Sequence, residues 1–149
     1  MFKSLFSTIS IASDHAGYEL KEFLKNYLIN NNVSTIDLGP FEKKSVDYPD
    51  YAKKVANRVS SKRSEVGILV CGSGIGMSIA ANKSYNVRAA LCNDLKSSSL
   101  SRQHNNANII ALPARFISEQ EAIEMVDVFL NTPFEDGRHK RRVNKIACA

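Results

Sequence analysis

The segment LVCGSGIGMSIAANK, residues 69–83, puts Cys71 at the end of an apolar run, follows it with three glycines in five residues, and then turns helical. Gly72, Gly74 and Gly76 let the backbone approach a bound group closely, while the start of the next helix offers free N–H groups and the positive end of its dipole. An anion, or an oxyanion formed during a reaction, fits that environment. The same field favours the thiolate of Cys71, the form that acts as a base or nucleophile. A buried, unreactive thiol is the other reading of a cysteine at a strand end. The spacing is not GxGxxG, because residue 77 is Met, and no Lys-Ser/Thr pair closes a Walker loop. A nucleotide site is therefore disfavoured. Cys92 also ends an apolar run, but it lacks the glycine loop and is read as structural.

Three further polar groups have residue types suited to chemistry. In SDHAG, Asp14 and His15 precede a helical stretch, where they suit a substrate hydroxyl and a phosphate, or where Asp14 serves only as a helix cap. In SRQHNNAN, His104 closes a helical stretch, as a proton-transfer imidazole or a surface contact, and Asn105 and Asn106 are turn candidates. In GRHKRR, Arg138 and Arg142 stand four residues apart, so one helix face presents both guanidinium groups to a phosphate or simply to water. Arg115 is placed to join them or to pair with a carboxylate.

These groups need a frame that brings them together. TISIAS (8–13), VSTIDLG (33–39), VGILVC (66–71), VRAALC (87–92) and NIIALP (108–113) are β-rich and mostly apolar without strict alternation, which predicts strands covered on both faces. Between them, Leu20, Phe23, Leu24, Tyr27 and Leu28 recur at helical spacing, as do Ala52, Val55, Ala56 and Val59 behind Pro49, and Ala122, Ile123, Val126 and Leu130. Five strands alternating with helices predict a parallel sheet in a doubly wound α/β fold, with ligands gathered outside the carboxyl ends of the strands. All four polar groups are expected at or just after such ends. The basic segment 135–147 predicts an extra C-terminal helix with Val143 and Ile146 on one side.

Composition narrows the classes. A chain of 149 residues, 44% hydrophobic and 23% charged, is read as one domain spanning 1–149. Its net charge of +5 is spread out apart from GRHKRRVNK, and that cluster contains no aromatic residue, which disfavours a nucleic-acid module. Cysteines at 71, 92 and 148 form no CxxC pair, so neither a disulfide framework nor a metal site is expected. The opening MFKSLFSTIS leads into Asp14 and His15 rather than a cleavage site, and no apolar run approaches the roughly 20 residues of a membrane span. The expectation is a soluble, cytoplasmic protein with no membrane or nucleic-acid partner.

SDHAGYELK, DYPDYA, CGSGIGMSIAANK, LSRQHNNAN and GRHKRRV occur in the order, and near the spacing, of the ribose-5-phosphate isomerase B family, which includes the galactose-6-phosphate isomerase subunits. The chain resembles that family from about Ile9 to Ile146. The resemblance implies a Rossmann-like three-layer α/β/α sandwich that forms a homodimer, or a dimer of dimers, with active sites shared between subunits. It implies interconversion of ribose 5-phosphate and ribulose 5-phosphate through a cis-enediolate, with no metal or organic cofactor. A six-carbon sugar phosphate such as allose 6-phosphate or galactose 6-phosphate is the alternative substrate, as is a role as one subunit of such an enzyme.

By position in the family motifs, Cys71 resembles the base that moves the proton between C2 and C1, and the amides of Gly72, Ser73, Gly74, Ile75 and Gly76 resemble the oxyanion site. Ser73 matches a hydroxyl that exchanges protons between O1 and O2. His104 matches the ring-opening acid, with Asp14 across the ring, and Asn105 matches a substrate contact. His15, Arg115, Arg138 and Arg142 match phosphate and sugar contacts, and Tyr48 resembles a pocket-lining residue. Some members carry a glutamate base where this chain has Met77, which leaves Cys71 as the base here.

Overall fold

A computed structural model describes residues 3–146; Cys148 and the outermost ends of the expected 1–149 domain lie outside the described residues. The chain runs β1 (Thr8–Ser13), α1 (Tyr18–Asn30), β2 (Ser34–Asp37), α2 (Tyr48–Ser60), β3 (Val66–Cys71), α3 (Ile75–Ala81), β4 (Ala89–Leu91), α4 (Leu95–Asn105), β5 (Ile109–Pro113), α5 (Glu119–Asn131) and α6 (Gly137–Ile146). All strand pairings are parallel, in the order β2-β1-β3-β5-β4. This is the doubly wound α/β sandwich that the alternation of apolar runs and amphipathic stretches predicts.

Strand alternation builds both cores. Ile9 and Ile11 of β1, Ile68 and Val70 of β3, and Ile110 and Leu112 of β5 face α1 and α5, meeting Leu24, Leu28 and Phe129. Their neighbours Ala12, Leu69, Cys71, Ile109 and Ala111 face the other way, onto Val55, Ala56 and Met77 of α2 and α3. Every residue of β3 and β5 is buried, which is why these runs read as continuous rather than alternating. Full burial of a side chain such as Leu24 or Phe129 stabilises the fold by about 1.5–3 kcal/mol. The edge strands β2 and β4 are shorter than the runs suggesting them and only partly covered.

Helix ends follow local chemistry. Pro49 lies in the first turn of α2. Reciprocal capping boxes, Asp94 with Ser97 and Ser118 with Glu121, start α4 and α5. Asp14 caps no helix: α1 starts behind Gly17, whose N–H donates to Asp14 Oδ1 at 2.9 Å. In the basic C-terminal helix, Val143 is buried as expected, but Ile146 is exposed.

Lys21, fully buried in α1, is absent from the helical pattern read above. Its ammonium donates to Asp37 Oδ1 at 2.9 Å and to the Pro40 carbonyl at 2.7 Å, and pairs with Glu22 at 3.0 Å. It thereby ties the loop after β2 to α1. That loop carries Val46 and leads into Tyr48, both of which reach the site described next.

Candidate active site

Strand order places the site. From β1 the chain winds outward to β2, then crosses back over β1 to β3, so the carboxyl ends of β1 and β3 flank the point where winding reverses. Connections diverge there and leave a crevice. A 340 Å³ cleft opens at this point, lined by Asp14, His15, Ala16, Tyr48, Cys71, Gly72, Ser73, Gly76, Arg115 and Phe116.

Cys71 is the last residue of β3 and is 5% exposed. The Gly74 N–H donates to its Sγ at 3.1 Å. Gly74 manages this because it sits at φ +75°, a left-handed turn where a Cβ would also stand 2.5 Å from Leu91. Helix α3 then starts at Ile75, whose N–H is met by Ser73 Oγ at 3.2 Å. Residues 72–76 thus form a tight turn beside the thiol.

The other cleft residues come from separate elements. Asp14 follows β1 and is 8% exposed, with one carboxylate oxygen held by Gly17. His15 receives the Val46 N–H on Nδ1 at 3.2 Å. An accepting Nδ1 leaves the proton of the neutral ring on Nε2, as a donor. Arg115, anchored by its N–H to the Gly72 carbonyl at 3.0 Å, lays its guanidinium against Gly72, where a Cβ would meet Nη1 at 3.0 Å. The Tyr48 ring closes over Gly76, where a Cβ would stand 2.7 Å from the ring. Cys92 is a buried thiol pushed up by that burial, in keeping with a structural role.

Four of the expected site residues lie elsewhere in the chain. His104 and Asn105 end α4, before β5 begins at Ile109, whereas Cys71 pairs with Pro113 at the far end of β5. The ends of β5 stand roughly 13 Å apart at the usual strand rise. His104 and Asn105 therefore sit at the amino end of the sheet, opposite to the expectation, because α4 runs back along the strands before β5 starts. Arg138 and Arg142 are exposed on α6, which packs against α4 and not against the cleft. Asn105 borders a larger groove of 600 Å³, with residues 82–90, Ala107, Val143 and the exposed Ile146.

Where α6 packs on α4, the His104 and His139 rings stack, with centroids 4.2 Å apart and planes 11° from parallel, beside Glu135. These three groups have metal-ligand chemistry, but nearly parallel rings direct their in-plane lone pairs side by side, so one ion meets both only if the stack breaks. Sequence reading missed Glu135, His139, Ala16 and Phe116. The only signal for His139 was its place between Arg138 and Arg142 in GRHKRR. No helix among the described residues is long and apolar enough to cross a membrane.

Fold and cleft together define a doubly wound α/β protein with a thiol and an amide-rich turn at its switch point. Residues 9–146 match the family model described as Ribose/Galactose Isomerase, and the chain belongs to that family. It is 41% identical to ribose-5-phosphate isomerase B of Escherichia coli over 138 residues, covering 93% of each chain. A crystal structure of a ribose 5-phosphate isomerase from Thermotoga maritima superposes with a TM-score of 0.93 at 52% identity, covering 95% of this chain and 97% of that one. Ribose-5-phosphate isomerase B from Mycoplasma genitalium, solved with bound ribulose-5-phosphate, gives 0.91 at 44% identity, covering 94% and 93%.

Proposed function

We propose that the protein interconverts ribose 5-phosphate and ribulose 5-phosphate, with Cys71 as the carbon-acid base. The observation that carries this is the Cys71 thiol, which accepts the Gly74 N–H and lines one cleft with Asp14, His15 and Arg115. Family membership and the activity in the names of its relatives support it. In the open-chain aldose, the Cys71 thiolate removes the C2 proton, and negative charge develops on the oxygens at C1 and C2. Amides of the 72–76 turn other than the two already held, Gly74 by Cys71 Sγ and Ile75 by Ser73 Oγ, stabilise that charge, and Ser73 passes a proton between O1 and O2. Return of the proton to C1 gives the ketose. His15 and Arg115 supply donors for phosphate and sugar oxygens.

Opening the sugar ring needs an acid at the ring oxygen and a base at the C1 hydroxyl. Asp14 takes the second role and His104 the first, with Asn105, Arg138 and Arg142 binding substrate. His104 lies at the opposite end of β5 from Cys71, so the reading requires His104 from a second copy of the chain, in a twofold homodimer. The exposed Ile146, Tyr85 and Ile79 provide apolar surface for such a pairing. A reducing compartment, the cytoplasm, keeps the Cys71 thiol available.

Mixing two inactive variants tests the shared site. Cys71→Ala and His104→Ala chains, unfolded and refolded together, form half heterodimers, each with one intact site, so activity returns to about a quarter of wild type. Mixtures as inactive as the separate variants refute the shared site. An assay against five- and six-carbon sugar phosphates tests the substrate, and ribose 5-phosphate is expected to turn over best.

A further inference from the structure

The segment between α5 and α6 is pinned to the end of α4. Arg102, 5% exposed, donates from Nε to the Thr132 carbonyl at 3.2 Å, and the Glu135 N–H donates to the Gln103 carbonyl at 3.1 Å. Glu135 is thereby held with its carboxylate 4.0 Å from His104 Nε2 and 3.7 Å from His139 Nε2. The two rings differ in surroundings. His139 is 7% exposed, and burial, followed by the charges of His104, Arg138 and Arg142, keeps it below the ordinary imidazole range against the opposing pull of Glu135. His104 leaves 40% of its side chain open to solvent.

We propose that Glu135 and His139 are positioning residues for His104, the carboxylate balancing a protonated His104 and the buried ring fixing its plane, so that the exposed ring delivers a proton to the sugar-ring oxygen. Two rings 4.2 Å apart repel when both are charged, so a proton on His104 is opposed by any second proton on His139, whose burial already disfavours one. Charge from Arg138 and Arg142 also opposes a proton on His139, and Glu135 is the one carboxylate beside the two rings among the described residues. In the step itself, the proton moves from His104 to the ring oxygen as its bond to C1 breaks. Asp14 takes the proton of the C1 hydroxyl as the carbonyl forms, so atoms and charge balance with no co-reactant.

This inference rests on the isomerase reading, and the test separates the two. Ribulose 5-phosphate cannot close a five-membered ring, because its C5 oxygen carries the phosphate. Exchange of solvent deuterium into its C1 position therefore reports proton abstraction by Cys71 alone. Glu135 is exposed, so Glu135→Gln leaves packing intact. Ribose 5-phosphate turnover by this variant should fall at least about tenfold, while deuterium exchange stays within about threefold of wild type. Equal loss in both assays, or loss in neither, overturns the positioning role. Absence of exchange in the wild-type protein overturns the isomerase reading itself, and with it this inference.

Discussion

Replacing Cys71 by serine separates the two things its side chain does. The sulfur accepts the buried Gly74 N–H at 3.1 Å and faces the cleft at 5% exposure. A serine hydroxyl still accepts that N–H and fills most of the space, but it is no base at neutral pH. Losing a general base lowers turnover by about 10²–10⁴, equivalent to about 2.7–5.4 kcal/mol of transition-state stabilisation. Stability should change by about 1 kcal/mol or less, because the hydrogen bond survives. Cys71→Ala lowers turnover equally but strands the Gly74 N–H, which costs about 1–3 kcal/mol, inside the 5–15 kcal/mol of a typical domain. At about 2–4 °C per kcal/mol for a chain of this size, the alanine protein melts a few degrees below the serine protein and remains folded. Steady-state kinetics and thermal melts check both halves. Serine-variant turnover within about threefold of wild type refutes the base, and identical melts for the two variants refute the structural hydrogen bond.

Two further outcomes follow from named groups. Burial alone would raise the Asp37 carboxyl, but hydrogen bonds from Lys21, the Gly39 N–H and Lys25 outweigh it and hold the group below its usual range. The unfolded chain therefore takes up a proton at higher pH than the folded one, so Asp37 contributes fully above about pH 4, and that contribution is lost as pH falls through the folded value. Asp37→Asn should flatten this acid limb in urea unfolding and cost about 3 kcal/mol at pH 7, the low end for a broken buried pair, since Glu22 and the Pro40 carbonyl still hold Lys21. Arg142→Ala, on an exposed helix face, should leave the melting temperature within about 1 °C and raise KM for phosphorylated sugars about tenfold. An unchanged KM shows that the basic helix is only solvated surface.

Much of this architecture follows from local pattern. Apolar runs of five or six residues alternating with helical periodicity place β1, β3 and β5 within a residue of their ends, and in β3 and β5 burial on both faces leaves little room for polar residues. A parallel sheet then dictates that whatever follows β1 and β3 shares one edge, so Asp14, His15 and Cys71 meet in a cleft that residue order already implies. The turn at Gly74 is legible for the same reason: a positive φ is a demand on one residue and its neighbours. What sequence could not show is contact between distant elements. Lys21 is an unremarkable helix residue until Asp37 and the Pro40 carbonyl close around it. His139 is one letter in a basic run until α6 packs on α4 and stacks it against His104. His104 itself fits the chemistry of Cys71, yet one chain holds them at opposite ends of β5. Periodicity and residue type act over a few residues and were enough to fix the cleft; packing of helices across the sheet acts over the whole chain, and it alone decided which residues one chain holds apart.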